Sequence, residues 1–445
     1  MIKKLPFLLF FVLLNANSQT IDYSASVTLE GIISSEESNP FWLYTNQRGR
    51  IDEMTDLAGW GNVSGKYYLT SESFLEAGAG VLYQNGYSDE VQLDDYYIKF
   101  RNSWLETYVG RKHREELYKG LSATNENILW SLNARPLPGA GIRTIRPVYF
   151  WKEAGLGFKA EWEEFLTDDE RYVEDLRVHH KSFHLVFSGI KNIELIVGVQ
   201  HFVQWGGNSP DYGKLPSGFN DYLKVILGRE GQNDVSGEEA NALGNQLGSY
   251  EIYLNTSISH YDVQFLYNTI FEDKSGLMLR NTPDGRYGVY IEDRESNKWI
   301  SAFMYEYYYT RNQSKNFPTT DGKDNYFNNN LYRSGWTYEH RVLGLPFILM
   351  DADRERIGDN NIVAHHLGIA GNGFSRFPYK LLASYRMNYG AKGGTSTPND
   401  EIFSGMLDVK LWQEFMDVNL QLGADFHSSS TNIFGAGLKL SKQLF

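Results

Sequence analysis

MDVNLQLGADFHSSSTNIFGAGLKLSKQLF, residues 416–445, is the stretch whose rhythm decides the fold. Taken in twos, Val418, Leu420, Leu422, Ala424 and Phe426 are apolar, while Asp417, Asn419, Gln421, Asp425 and His427 between them are polar and Gly423 is the exception. A polar turn, Ser428 to Asn432, follows. Phe434, Ala436, Leu438, Leu440 and Leu444 then alternate with Lys439, Ser441 and Gln443. Strict alternation over about ten residues is what a membrane-crossing strand needs, with one face on lipid and the other on a wet lumen. The terminal Phe445 falls on the polar parity. Read outward from here, the chain predicts an outer-membrane barrel.

Composition agrees. The 445 residues carry Gly 42, Tyr 30 and Phe 26 against Pro 12 and no Cys, as antiparallel strands with aromatic girdles require. Mean hydropathy is −0.43, and no mature segment approaches the roughly 20 apolar residues of a membrane helix. That excludes a helical bundle and leaves a barrel open, because only alternate residues of a barrel strand face lipid. Without Cys there are no disulfides, thiolate metal sites or Cys-linked lipid anchors. A formal charge of −13 argues against nucleic acid, which selects a basic face.

Met1 to Ser18 reads as a secretory leader, with Lys3 and Lys4, an apolar run from Leu5 to Leu14, and Ala16-Asn17-Ser18 before Gln19. The expected organisation is a signal peptide over 1–18 and a single barrel over 19–445. Strand-like segments recur along that barrel. Tyr23, Ala25, Val27 and Leu29 share one parity, and Lys66 to Gln84 forms a hairpin around Thr70 to Ser73. Val91 to Arg101 is answered by Trp104 to Arg111, and Tyr250 to Ile258 by Tyr261 to Asn268. Ile193 to Val203, Phe303 to Tyr309 and Leu381 to Tyr389 alternate likewise. Most of these have a polar face carrying charge, which suits a lumen and not a dry core. The periodicity supports about fifteen to eighteen strands, an even number being needed for closure.

Three stretches break the pattern. Lys112 to Arg135 reads as a loop with a helical turn. Phe219 to Glu230 reads as a short helix capped by Asn220 or Asp221, and Asp321 to Leu345 is rich in Asn, Tyr and Gly. Outer loops of barrels are long and can fold inward, so these are predicted plugs or surface loops.

Several segments resemble the capsule-assembly Wzi family: PFWLYTNQRGR (40–50), WSLNARPLPGAGI (130–142), RYVEDLRVHHKSFH (171–184), GVQHFVQWGGNSPDYGKLP (198–216), DNYFNNNLYRSGWTYEHR (324–341) and HHLGIAG (365–371). The resemblance runs in order over most of the mature chain. It implies an all-β, antiparallel transmembrane barrel of eighteen strands, partly plugged by loops and short helices, acting as a lectin for capsular or related exopolysaccharide. It carries over no assigned sugar contact.

Sugars bind through aromatic faces and planar polar groups, which makes Gln204, Trp205, Asn208, Asp211 and Tyr212 candidate polysaccharide contacts, with Trp336 and Tyr338 in the Asn-rich stretch. Gln200 and Gln204 share a lumen-facing parity, and Trp205 belongs at the mouth. A membrane-interface girdle is the alternative role for the aromatics. Arg48, Arg50, Arg111, Arg135, Arg143 and Arg146, with Asp52, Glu53, Asp94 and Asp95, form opposed charges lining a lumen. They brace a plug, or they grip an acidic polysaccharide.

His180 and His184 share a strand face with Ser182, and His179 takes the other. No carboxylate completes a metal set by spacing, so a lumen hydrogen-bond ladder is expected; His365 and His366 are read the same way. The acidic run Glu161-Trp162-Glu163-Glu164, with Asp168-Asp169-Glu170, offers carboxylate pairs of the glycosidase kind, but a solvated turn explains it more simply. Gly-x-Ser-x-Gly and phosphate-loop motifs are absent. The expected protein is a monomeric, non-enzymatic barrel of a Gram-negative outer membrane, with lipid and lipopolysaccharide around it and neither cofactor nor metal. The alternative is a passive diffusion porin.

Overall fold

The computed structural model describes residues 21–86, 90–231, 242–272, 278–295, 298–314, 324–391 and 394–445. The leader, and the first three residues of the Asn-rich stretch, lie outside them. Within Asp417–His427, Leu422 and Phe426 are half exposed, while Gln421 and Asp425 are buried on the other face. The strand pairs with Ile433–Gln443, which pairs in turn with Ile21–Ser34, so the last strand meets the first and the sheet closes. Gly423, the exception on the polar parity, faces the lumen. A Cβ there would lie 2.9 Å from Leu43 and 3.0 Å from Pro40, so the glycine makes room for an inward-folded loop.

Around the wall run Ile21–Ser34, Leu57–Tyr68, Phe74–Gln84, Glu90–Arg101, Leu105–Arg111, Pro138–Thr144, Leu156–Leu166, Arg177–Ile190 and Ile193–Trp205. Asn245–Ile258, Tyr261–Thr269, Gly285–Asp293, Ala302–Tyr309, Ile362–Gly373, Phe377–Asn388, Asp400–Trp412 and the two carboxyl-terminal strands complete it. Val148–Trp151 pairs with the same strand as Pro138–Thr144 and continues it past a break. The result is a closed antiparallel barrel of 18 strands, each paired to its neighbour in sequence. Both ends of the described chain lie on the rim of short turns, such as Asn102–Trp104 and Lys191–Asn192. The opposite rim carries the long connections 35–56, 112–137, 206–244 and 310–361, the outer side by the usual asymmetry of such barrels.

Three of those connections, 35–56, 112–137 and 310–361, fill the lumen. Their largest fully buried side chains are Trp42 on the first, and Trp336, Tyr326, Tyr338, Phe327 and Phe347 on the last. Trp130, in the connection 112–137, packs at ring distances of 5.2 Å from Phe165, 5.4 Å from Phe202 and 5.9 Å from Trp336. Asparagines shape these loops. The Asn127 side chain accepts the amides of Leu129 and Trp130, each at 2.9 Å, and Asn329 does the same for Leu331 and Tyr332. Gly335 has φ +71° and a Cβ would sit 2.3 Å from the Phe327 carbonyl, so only glycine admits that turn.

The helix forms over Phe219–Leu227, but its N-cap is Gly218 instead of Asn220 or Asp221. Asp221 sits at the third helical position and its carboxylate accepts the Gly218 amide at 2.9 Å. The acidic run is also corrected. Glu161, Glu163 and Glu164 belong to the strand Leu156–Leu166 and are no solvated turn.

Candidate functional site

The lumen wall is built of paired charges. Arg50 meets Asp94 at 2.5 Å and lies over the Trp60 ring. Arg111 donates to both oxygens of Asp168, at 2.7 and 2.9 Å, and to the Tyr338 hydroxyl at 2.7 Å. Arg135 holds Glu339 at 2.8 Å, and Arg143 holds Glu106 at 2.9 Å. Arg48 is tied by its backbone amide to the Leu132 carbonyl at 2.8 Å, and burial with the neighbouring Arg50 lowers its pKa. Arg50–Asp94 and Arg111–Tyr338 join wall to plug, which is the bracing role; Arg143–Glu106 lies within the wall, and Arg135–Glu339 and Arg48–Leu132 tie one plug loop to another. Burial, with the Glu339 carboxylate beside it, pushes the Tyr338 phenol up and holds it protonated.

The histidines form a ladder across four strands. His180 Nδ1 meets Glu163 at 2.8 Å and its Nε2 meets Gln200 at 3.0 Å. Gln200 then donates to Glu251 at 3.2 Å, which His184 reaches at 2.7 Å. His179 points to the opposite face, as parity requires, and bonds Glu164 at 2.7 Å. His366 Nε2–H donates to the Leu121 carbonyl, 2.7 Å away, while His365 pairs with Tyr305 on the outer face. Register brings together what spacing did not show. Ligand atoms of Glu161, Glu163 and His180 lie within 4.8 Å of one another. Glu163 is already engaged by Tyr108 at 2.7 Å and by Arg114 and His180, so its oxygens are committed to the wall and plug.

The candidate sugar contacts separate into two groups. Gln204 is buried in the lumen, donating to the Gly335 carbonyl at 3.0 Å. Trp336 is buried, its indole donating to the Leu129 carbonyl at 2.6 Å, and Tyr338 is buried against Arg111. Trp205 is also buried, on the outer side of the wall and not at an open mouth, stacked on Tyr222 at 5.5 Å with Arg177 over its ring. These four are packing residues in this arrangement. Asn208, Asp211 and Tyr212 instead stand exposed on the outer rim.

At that rim Asp211 Oδ2 accepts from the Tyr172 hydroxyl at 2.6 Å and from Arg333 at 2.8 Å, and the Arg333 guanidinium lies 4.5 Å from the Tyr172 ring centre. Asn208 donates to Asp175 at 3.0 Å. The cluster collects an aromatic face, a carboxylate, a guanidinium and an amide, the groups that read hydroxyls and the C–H faces of pyranose rings. Tyr172 and Arg333 escaped the sequence reading because three separate loops bring them together, although both lie in the quoted segments. A second outer cavity of about 310 Å³ opens between the first and last long loops, lined by Tyr44, Glu53, Asn133, His340, Arg341 and Arg354. Burial pushes the Tyr44 phenol up, and it lowers the Arg341 pKa.

The Escherichia coli outer-membrane protein Wzi, described as a carbohydrate-binding β-barrel involved in group 1 capsule assembly, aligns over 94% of this chain and 84% of its own, with a TM-score of 0.59 and 14% identity. The Pseudomonas aeruginosa barrel OccK3 (OpdO) aligns over 95% and 96% with a TM-score of 0.50 and 11% identity. At these identities both are likenesses of fold. No curated protein matches the sequence. The family model for capsule assembly protein Wzi matches residues 25–347, and the chain belongs to that family.

Proposed function

We propose that this barrel holds capsular or related surface polysaccharide at the outer face of the outer membrane, as a monomeric, lectin-like and non-catalytic protein. The observation that carries the reading is the exposed rim cluster of Tyr172, Asp211 and Arg333, flanked by Tyr212 and Asn208. Weak contacts repeated along a polymer compensate for low affinity at each repeat. Glu163 is paired with Arg114 of the plug loop, with Glu161 beside it on the same strand face, and neither is at the rim where a polymer would meet a hydrolase. The filled lumen favours retention over the competing reading, a passive pore of the same fold.

Deleting the protein is expected to shift polysaccharide from the cell-bound to the shed fraction. An unchanged fraction would sink the proposal. Asp211→Ala should weaken binding of purified polysaccharide about tenfold per site, the value of one charge-assisted hydrogen bond, without lowering thermal stability. Export is proposed through the leader at 1–18, so the mature chain recovered from membranes should have a mass beginning at Gln19. A chain retaining Met1 would refute cleavage.

A further inference from the structure

The outer wall should be apolar where it meets lipid, and across four neighbouring strands it is not. In register across four strands, Glu164 stands beside His179, His179 beside Val203, and Val203 beside Gln246, with Trp162, Lys181 and His201 aligned one step below. All of these side chains share the outward parity, opposite to Glu163, His180 and Gln200. Left bare, such a seam would expose polar and charged groups on a face that must shed water.

The helix Phe219–Leu227 covers it from outside. Its Tyr222 hydroxyl reaches Glu164, its ring meets His179 edge-on at 5.9 Å, and the Lys181 ammonium donates to the Ile226 carbonyl. Val225 packs with Val203, Trp205 and Leu243 in a small core of its own, separate from the lumen. His179 is consequently 0% exposed on an outward face. Among themselves the covered groups are bonded, with His201 to Gln246 at 2.6 Å and the Trp162 indole to Glu164 at 3.0 Å.

The helix then presents two further faces. Phe219, Leu223 and Leu227 recur at four-residue spacing, 74%, 42% and 60% exposed. Asn220 and Lys224 lie on the adjoining polar side. Apolar wall residues Val109 and Leu166 are exposed beside its amino end, and Phe183 and Leu185 are exposed further down the wall, so the stripe is continuous with the lipid-facing belt. A groove of about 640 Å³ runs beside the helix, walled by Val109, Ala140 and Leu166, and one of about 520 Å³ lies below it on the wall, where Trp162, Lys181 and His201 meet Ile142 and Phe183.

We propose that the helix Phe219–Leu227 is seated at the hydrocarbon–water boundary of the outer leaflet, its Phe219–Leu223–Leu227 stripe against lipid acyl chains, as an external membrane clasp over the polar seam. A helix with one face on protein, one apolar and one polar is suited to that boundary. This inference rests on the barrel alone and is independent of what the rim binds.

The absence of Cys makes the test direct. Leu223→Cys and, separately, Phe219→Cys carry a nitroxide in the full mature chain reconstituted in liposomes, with folding checked by circular dichroism. Collision rates are read with oxygen, which partitions into hydrocarbon, and with a water-soluble nickel chelate. Both sites should favour oxygen several-fold, matching a Leu185→Cys control on the lipid belt, while a Lys214→Cys control at the rim should favour nickel. Nickel preference at 219 and 223 would place the stripe in water and overturn the proposal. Protection from both reagents would overturn it too, because a protein surface would then be the occupant.

Discussion

Replacing Arg286 with methionine is expected to destabilise the filled lumen by about 3–5 kcal/mol, the cost of stranding one partner of a buried ion pair. Arg286 and Glu306 are both 0% exposed, and Arg286 Nε meets Glu306 at 2.8 Å. The guanidinium also donates to the Glu126 carbonyl at 3.1 Å, to Asn268 at 3.1 Å and to Ser122 at 3.2 Å. Glu306 in turn accepts from Ser122 and from the Ala123 amide, each at 2.8 Å. One wall pair thus anchors the connection 112–137 inside the barrel. In Arg286→Met the Glu306 charge has no cation to answer it, and the loop loses its tether. Thermal unfolding in detergent should fall, and planar-bilayer recordings should show current steps that the parent chain lacks. Pairing the change with Glu306→Leu should recover the part of the loss that comes from the unanswered charge, leaving the smaller cost of the Ser122, Ala123 and Asn268 groups that lose their partners. If the single variant melts like the parent, the pair is not an anchor.

Trp336→Ala should cost a similar amount, about 3–5 kcal/mol, from the lost transfer energy and the cavity left behind. The indole fills the space between its own loop, the connection 112–137 and the wall, packed on Trp130 and on Phe202 at 5.4 Å, with its N–H committed to the Leu129 carbonyl. The wall strands do not depend on it, so β-sheet signal should persist while residues 324–348 become open to protease. Trp336→Phe should fall between, keeping bulk but orphaning a carbonyl. A variant that lost polysaccharide binding with unchanged protease resistance would instead return Trp336 to the role of a direct sugar contact.

The wall was legible because alternation encodes it directly: one face meets lipid and the other does not, from Tyr23 to Leu440. Parity also separated His179 from His180 and placed Gln204 in the lumen. It failed where a loop covers the outside. Glu161 to Glu164 carries charge on both faces, so the run looks like a turn. Its outward member is sheltered by Tyr222, a residue fifty-eight positions away. Trp205 misled for the same reason. Plug and rim were not separable in sequence, since irregular segments have no period to say which way they fold. Trp336 and Arg333 sit three residues apart in one Asn-rich stretch, yet the first is fully buried and the second exposed.

The wall closes where Ser26 to Ser34 pairs with Gly435 to Gln443, and there Lys439 reaches the fully buried Glu30 at 3.2 Å. The ring therefore joins two strands about four hundred residues apart, the first and the last of the described wall. Until the strand Ile433–Gln443 is in place, the sheet has two raw borders and nothing to seal them. Glu30 is meanwhile a stranded anion awaiting its lysine. Loss of even a few carboxyl-terminal residues is then a fault of closure, felt by the whole molecule.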